Sequence, residues 1–430
     1  MLLRYILYCV SVLLLLSILS LLIRNTALFY VATIAVFGTN LWLMNRFIGV
    51  FVYIILLVLT ARKYIRFSRG IFFLSFIALC NFYYSAEFGF FLLAAHAVFC
   101  LGSIVSAQQE EKKQRINAVL FFSGAGFLLG VLFGVYAFGV RGFGEFVRIT
   151  FLVIPRVKPY MDEYVYPPFP EPSQILSSLH WMPIILTTAL VWFILYEFSF
   201  HKMWKNAEFI LVAVLTALSV VTFRVALGRS DEPHINFVLP FLFLALLSAA
   251  DYLWERSDAW YKRLGAVLWV IPLFLTPFFS LATAVAIPHY SPETLWLFAA
   301  MPKRIPDEAY LTENQNAVVS YIRTNTTKND YVFVFTNESA FYYFLERRSP
   351  TRFYTIWFAQ PDFYQKEAVA DLVKKQPKYV IISSDCWCNV IDRVPNSARV
   401  PEIYSWLEKR YEEDTRIGDT VIWKQRPHAE

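Results

Sequence analysis

The first 287 residues alternate between long apolar blocks and short polar connections, a pattern that predicts membrane-spanning helices. Most blocks approach the ~20 residues that a bilayer core requires. The first block is followed by Arg24 and further apolar sequence without a small-residue cleavage site, which indicates a retained helix rather than a signal peptide. The predicted spans are residues 5–23, 27–44, 47–61, 71–84, 88–107, 116–140, 181–200, 207–227, 235–250 and 265–287.

Basic residues in the short connections predict the orientation, because such residues stay preferentially on the cytoplasmic side. Four connections carry them, whereas connections 85–89 and 228–234 hold a single basic residue between them. Those two connections, the long segment 141–180 and everything after Ile287 are therefore predicted to face outward. The residues predicted to be cytoplasmic are Arg62, Lys63, Arg66, Arg69, Lys112, Lys113, Arg115, Lys202, Lys205, Arg256, Lys262 and Arg263.

The number of spans is left open by this pattern. Ten spans would place both chain ends outside, with Arg4 beside the outward N-terminus, and an odd number agrees better with the charge rule. Either residues 27–61 form one span with a re-entrant or interfacial piece, or a further N-terminal helix precedes this chain. The expected fold class is a polytopic α-helical membrane protein with about 9–11 transmembrane helices over residues 1–287.

Residues 288–430 alternate short apolar strands with amphipathic helices, which is typical of an α/β domain. We expect a three-layer, partly parallel sheet in an extracytoplasmic domain separate from the membrane part. Its core is predicted to include Val332, Val334, Tyr379, Ile381 and Ile382. The predicted elements are helices 314–323, 339–347, 366–375 and 403–411, strands 331–335, 379–383 and 420–423, and an extended segment 353–356.

Composition agrees with a membrane protein and argues against a nucleic-acid partner. Hydrophobic residues make up 57% of the chain and charged residues 17%, below the roughly 25% charged residues of an average globular protein. Residues 288–430 contain 18 Lys and Arg and 19 Asp and Glu, so their charges nearly cancel. The net charge of +6 therefore belongs to the membrane part, where basic residues set the orientation of the helices in the membrane. None of the predicted strands is followed by a glycine-rich nucleotide fingerprint.

Candidate chemistry concentrates in the outward connections. Arg229, Asp231 and His234 lie between two apolar blocks, where ionisable groups usually line a cavity or bind a charged head group, although a solvated loop would look the same. Glu87 is a lone carboxylate at the outward end of two spans and is a candidate base or metal ligand. His96, inside the fifth span, is interpreted as a buried, hydrogen-bonded residue rather than a proton relay.

The outward segment 141–180 is too long for a plain linker, which favours a functional loop. Its first half, 143–153, can form an amphipathic helix on the lipid head groups. Its proline-rich second half can form a rigid loop over a cavity. The candidate substrate-contacting residues in that loop are Asp162, Glu163, Tyr164 and Tyr166.

These features together resemble the GT-C superfamily of membrane glycosyltransferases, and within it the bacterial proteins similar to dolichyl-phosphate-mannose protein mannosyltransferases. The resemblance covers residue 25 to the end and rests on Arg-Ser-Asp-x-x-His at 229–234, the aromatic and proline-rich loop before it, and the tail. In the tail it is carried by segments 321–353 and 371–382, Tyr411 with its acidic run, Gly418 and Val-Ile-Trp at 421–423.

The resemblance implies hexosyl transfer from a polyprenyl-phosphate sugar to a glycan, lipid or protein acceptor at the outer face of the cell (inner) membrane. Arg229, Asp231 and His234 would bind the donor phosphate. Family members carry an acidic residue in a long first outward loop as catalytic base or ligand of a divalent metal ion, whereas no Asp or Glu precedes Arg62 here. The chain is therefore expected to lack its authentic N-terminus or to be a divergent member, with Glu87 as the remaining acidic candidate.

Two other classes of function remain open from the residues. A non-catalytic membrane protein of surface-glycan assembly would use the tail to bind a partner, and the missing acidic loop favours it. A transporter would use the same polar interface, but the spans are nearly free of charge apart from Arg224, and the two halves show no symmetry.

Overall fold

The chain forms two compact units, a helical one and a smaller one that contains a β-sheet. The first comprises residues 1–156 and 162–299, and the second residues 300–430 with the short segment 157–161. The predicted domain boundary at residue 287 lies outside the described residues. The computed structural model describes residues 2–38, 47–161, 167–171, 178, 180–201, 206–228, 235, 238–255, 260–275, 311–383, 389–391 and 394–427.

The helices of the first unit follow the apolar blocks of the sequence. A π-helical turn, Ile149–Val153, joins α6 to α7. The helices up to residue 275 are α1 (Leu2–Leu22), α2 (Thr26–Gly38), α3 (Ile48–Ala61), α4 (Phe67–Tyr84), α5 (Ala86–Val105), α6 (Gln109–Arg148), α7 (Ile154–Met161), α8 (Trp181–His201), α9 (Ala207–Gly228), α10 (Leu239–Glu255) and α11 (Trp260–Leu275). Residues 157–161 of α7 belong to the second unit.

Several of these helices are long and apolar enough to cross a membrane. Among the described residues this holds for five helical stretches: α4, α5, α8, α9 and the stretch 109–160, which contains α6. The helices α1 and α3 contain shorter apolar stretches, and α10 and α11 have 17 and 16 residues. The helical unit is therefore compatible with the predicted multi-pass membrane protein.

Close contacts between helices fix their directions within the unit. A Cβ added to Gly49, at the start of α3, would meet Asn81 near the end of α4, and one added to Gly70, at the start of α4, would meet Thr60 near the end of α3. The helices α3 and α4 are therefore antiparallel. We name the two ends of the bundle after their residues: the Glu87 end, where α4 passes to α5, and the Arg62 end, where α3 passes to α4.

The helix directions bear on the open question of residues 27–61. Arg62 donates to the carbonyl oxygens of Leu21 and Leu22, so α1 and α3 both finish at the Arg62 end. The Phe47 ring lies 5.6 Å from the Phe88 ring at the Glu87 end. Arg24 therefore lies at the Arg62 end and Phe47 at the Glu87 end, and α3 returns from the Glu87 end to the Arg62 end. These positions favour two passes of residues 27–61 over one span with a re-entrant piece, and the number of membrane spans stays a prediction.

The helices α4 and α6 pack closely through glycines spaced four residues apart. A Cβ added to Gly126 would lie 2.4 Å from the Phe72 carbonyl oxygen, and one added to Gly130 would lie 2.7 Å from the Leu79 side chain. The Tyr83 hydroxyl donates to the Gly130 carbonyl oxygen at 3.0 Å, next to this contact. Small residues at this spacing allow helix backbones to approach within a membrane.

We expect Gly126→Ala to destabilise the helical unit by about 1–3 kcal/mol, the usual cost of overpacking, because its Cβ meets the backbone of α4. Gly124→Ala, two residues away, is the matched control, since among the described residues nothing lies within 4 Å of its added Cβ. That control should be neutral or stabilise by up to about 1 kcal/mol, the gain in helix propensity. Thermal unfolding of both variants in detergent tests this. Equal midpoints would contradict the close packing of α4 on α6.

The straight part of α6 ends at Gly139. This residue has φ 70° and ψ 164°, a combination that side-chain-bearing residues rarely adopt. The helix resumes beyond it and carries exposed apolar side chains, among them Phe151 and Leu152. The kink thus falls at the predicted end of the span 116–140, and residues 143–153 are helical, as the amphipathic pattern predicted. The end of the membrane span itself stays a prediction.

The second unit is built on a four-stranded sheet. Its strand order is β1-β2-β6-β5, with β1 and β2 parallel and the other pairs antiparallel. The helices are α12 (Glu313–Asn325), α13 (Ala340–Leu345), α14 (Asp362–Lys375), α15 (Asn396–Arg399) and α16 (Pro401–Arg410). The strands are β1 (Val332–Val334), β2 (Tyr379–Ser383), β3 (Val390–Ile391), β4 (Val394–Pro395), β5 (Tyr411–Ile417) and β6 (Thr420–Gln425), with β3 and β4 forming a separate pair.

Helices cover both faces of this sheet, so the predicted three layers and partly parallel sheet are confirmed. Residues of α12 and α13 pack on one face, whereas residues of α14 and α16 pack on the other. Alternate residues of β1, β2 and β6 enter different clusters, as a sheet buried on both sides requires. Of the predicted core, Val332, Val334, Tyr379 and Ile381 are buried and Ile382 is partly buried.

Two element predictions in this unit differ from the structure. Residues 353–356, predicted to be extended, form no strand: Thr355 has extended backbone angles, but Ile356 already begins a 3-10 helix, Ile356–Ala359, because the buried Phe353 and Ile356 pack against α14 and α16. Residue Tyr411 begins strand β5 and does not end the preceding helix. Its ring packs on Trp406 and its hydroxyl donates to the Pro377 carbonyl oxygen at 2.6 Å.

Candidate functional site

Glu87 lies exposed in the first turn of α5, at the Glu87 end of the helical unit. A single residue, Ser85, links α4 to α5. The turn is tight, since an added Cβ at Gly89 would lie 2.4 Å from the Phe82 Cα atom. A carboxylate in the first helical turn is stabilised by the free backbone N–H groups and the helix dipole. The local fold therefore holds an acidic side chain at this rim.

The end of α9 lies at the same end of the bundle as Glu87. An added Cβ at Gly102, late in α5, would lie 3.3 Å from Ile210, early in α9, so the two helices are antiparallel neighbours. Gly228, the last residue of α9 and the one bonded to Arg229, therefore lies at the Glu87 end. Arg224, one turn earlier on α9, is exposed. This end thus brings an acid and a cation to the ends of neighbouring helices.

Aromatic side chains cover part of the Glu87 end. The helical segment after Gly139 packs Phe151 against the Phe82 ring, with centroids 5.7 Å apart. Phe146 from the same segment lies 5.3 Å from the Tyr83 ring. Such rings present apolar faces and, for tyrosine, a polar edge at a membrane interface. They form a fixed aromatic layer beside the start of α5.

Glu87 is the one member of the predicted site that the structure describes. The proposed phosphate-binding residues Arg229, Asp231 and His234 lie outside the described residues. The same holds for the proposed substrate-loop residues Asp162, Glu163, Tyr164 and Tyr166. Among the described residues, no group of three His, Cys, Asp or Glu side chains is placed to hold a metal ion.

The interpretation of His96 as a buried, hydrogen-bonded residue is confirmed. Its Nε2 atom lies 3.1 Å from the Ser75 hydroxyl oxygen of α4 and 3.1 Å from the Ser123 hydroxyl oxygen of α6. The side chain is 4% exposed. His96 thus links three helices, which is a sufficient structural reason for a polar side chain at this depth.

A second polar cluster, at the Arg62 end, was missed by sequence reasoning. Glu208, in the first turn of α9, pairs with both Arg24 and Arg62. The Arg62 side chain makes a bidentate contact, with Nε to Oε1 at 3.0 Å and Nη2 to Oε2 at 2.9 Å. The available signal was an acid at the start of an apolar helix, opposite a basic connection.

This cluster lines an open pocket of about 480 Å³. Asp251 does not line this pocket. Its Oδ1 atom accepts hydrogen bonds from the backbone N–H groups of Arg24 at 2.9 Å and Asn25 at 3.2 Å. The α1–α2 turn is thereby anchored to α10. The pocket is lined by Arg24, Ala61, Arg62, Lys63, Tyr64, Ala207 and Glu208.

No protein-family model and no curated protein matches this chain.

Proposed function

We propose that this chain is a membrane glycosyltransferase that moves a hexosyl group from a polyprenyl-phosphate donor to an acceptor. The reaction takes place at the Glu87 end, which faces away from the cytoplasm in the cell (inner) membrane. The C-terminal α/β unit lies on that same outer side. The basic connections at the Arg62 end support this orientation, because such residues stay on the cytoplasmic side.

The observation that carries the proposal is the placement of Glu87 and the end of α9 at one rim of an apolar bundle. A lipid-linked phosphate sugar needs a membrane-embedded path for its tail, cations for its phosphate and an acid near the acceptor. Gly228 lies at this rim and precedes Arg229 in the sequence, and Glu87 lies on the neighbouring helix. Ionisable groups at such a position usually serve binding or chemistry.

Each proposed residue has a role that follows from its chemistry. Arg229 offers a planar donor fork for the donor phosphate, and His234 binds or protonates that phosphate near neutral pH. Asp231 orients either of them. Glu87 takes the proton of the acceptor hydroxyl or holds a divalent metal ion. The substrate loop, with Asp162, Glu163, Tyr164 and Tyr166, covers the sugar.

The transfer step exchanges one bond at the sugar for another. The bond between sugar C1 and the phosphate oxygen breaks, and the phosphate keeps the electron pair while Arg229 and His234 compensate its charge. The acceptor oxygen bonds to C1, and its proton moves to the Glu87 carboxylate. Polyprenyl phosphate and the glycosylated acceptor, a glycan, lipid or protein, are the products.

We expect Arg229→Ala to weaken binding of a polyprenyl-phosphate sugar by about 1.5–3 kcal/mol, the value of a hydrogen bond to a charged partner. Arg229→Lys should restore it only in part, because the bidentate fork is lost. Donor binding to purified protein in nanodiscs measures this. Arg69→Ala, an exposed cation at the start of α4 near the Arg62 end, is the charge-matched control and should bind normally.

Donor binding measured together with transfer of labelled sugar separates the proposed transferase from a non-catalytic assembly protein. Donor affinity that is indifferent to Arg229→Ala and His234→Ala together would overturn the phosphate assignment. Normal donor binding without transfer to any acceptor would favour a binding protein of surface-glycan assembly.

A further inference from the structure

We propose that the pocket at the Arg62 end binds the phosphate-bearing head group of an anionic membrane lipid. This binding is independent of the proposed transfer reaction, because it uses the opposite end of the bundle. The pocket volume of about 480 Å³ falls within the roughly 300–1,000 Å³ of small-molecule sites. It is therefore larger than a gap left by imperfect helix packing.

The charges that line the pocket favour an anion. Three cations, Arg24, Arg62 and Lys63, stand against one carboxylate, that of Glu208. Glu208 already shares its two oxygens between the two arginines. The pocket keeps a surplus of positive charge after its internal ion pairs are formed, and this surplus is available to a ligand.

Two of the cations are placed to reach a ligand. The Arg24 side chain is 47% exposed, compared with 11% for Arg62. Lys63 is exposed, and its ammonium group has no ion-pair partner among the described residues. Arg62 is held by Glu208 and by the carbonyl oxygens at the end of α1, so it fixes the pocket walls.

The backbone around Lys63 is fixed before any ligand binds. Lys63 has φ 65°, in the left-handed region, and its N–H donates to the Thr60 carbonyl oxygen at 3.1 Å. The Ile65 N–H donates to the Leu59 carbonyl oxygen at 3.1 Å and closes the turn. A preformed turn lowers the ordering cost of binding.

The surroundings favour a lipid over a free phosphate ion. The pocket lies at the ends of the apolar helices α1 and α3 and at the start of α9, at the level of the head groups in the proposed orientation. Tyr64, 74% exposed, presents an aromatic ring of the kind found at that level. Basic pockets between helices on the cytoplasmic side commonly bind anionic head groups.

The test compares lipid binding to Lys63→Gln and Arg24→Gln with binding to the wild-type protein. Native mass spectrometry of the full chain in detergent, titrated with phosphatidylglycerol or with phosphatidylcholine, gives the two affinities. We expect phosphatidylglycerol to bind about fivefold more weakly per cation removed, the equivalent of about 1 kcal/mol. Phosphatidylcholine binding should not change.

Lys113→Gln is the matched control, because Lys113 is an exposed cation on α6 outside the pocket. An equal loss in this variant would overturn the proposal, since it would indicate a diffuse charge effect. Lys63→Gln leaves the Arg24, Arg62 and Glu208 contacts intact, so it remains informative if Arg24→Gln fails to fold. Displacement of the lipid by equimolar inorganic phosphate would overturn the assignment to a lipid.

Discussion

Glu87→Gln is expected to lower sugar transfer by at least about 100-fold, the minimum contribution of a general base, while donor affinity stays nearly unchanged. The amide keeps the size of the side chain but cannot take the acceptor proton. Glu87 is exposed in the first turn of α5, so its replacement leaves no cavity. Transfer of labelled sugar from a polyprenyl-phosphate donor, with donor binding measured in parallel, checks this.

Glu110→Gln is the matched control for this variant. Glu110 is also an exposed acid in the first turn of a helix, α6, but at the opposite end of the bundle. Both substitutions lose the same interaction with a helix dipole, about 0.3–1 kcal/mol. Only Glu87→Gln should abolish transfer. Turnover that survives Glu87→Gln would remove this residue from the chemistry.

Arg62→Ala is expected to destabilise the helical unit by about 3 kcal/mol, the lower value for breaking a buried ion pair. The Arg62 and Glu208 side chains are only 11% and 18% exposed. The substitution leaves the carboxylate with Arg24 alone and removes donors from the carbonyl oxygens of Leu21 and Leu22. The contacts of α3 with the ends of α1 and α9 are lost together.

The unfolding free energy of this variant is measured in mixed detergent micelles, with Arg24→Ala as its comparison. The Arg24 side chain is 47% exposed, and its loss should cost no more than about 1 kcal/mol, as for a surface pair. Arg62→Lys should fall between the two, because lysine keeps the charge but loses the bidentate contact. Equal losses for Arg62→Ala and Arg24→Ala would contradict the structural role of Arg62.

The candidate site was predictable from sequence only as a set of residue types. Glu87 is the first acid of the chain and follows a run of apolar residues, so its position at a helix rim could be read from the pattern. The position of α9 beside α5 could not be predicted, because Ala207, at the start of α9, is far in sequence from Gly102. The ion pairs of Glu208 could not be predicted either, because its partners Arg24 and Arg62 are distant in sequence.

The sequence by itself determined the helices of the first unit and the buried strands of the second. Apolar blocks of membrane-spanning length, and the run at Tyr379–Ser383, have few alternative ways to bury their side chains. The tertiary structure alone decided strand β5. Its acidic run Glu412–Asp414 has low strand propensity, and pairing with β6 together with burial of Tyr411 overrides that preference.

For residues 27–61 too, the sequence predicts the helices, whereas the tertiary structure decides their direction. The apolar pattern marks where helices form, but it does not record which end of the bundle each helix starts from. That direction is set by long-range contacts, the Arg62 bonds to the end of α1 and the Phe47 contact with Phe88. Local propensity thus fixed the elements, whereas packing and ion pairing between distant segments fixed how they assemble.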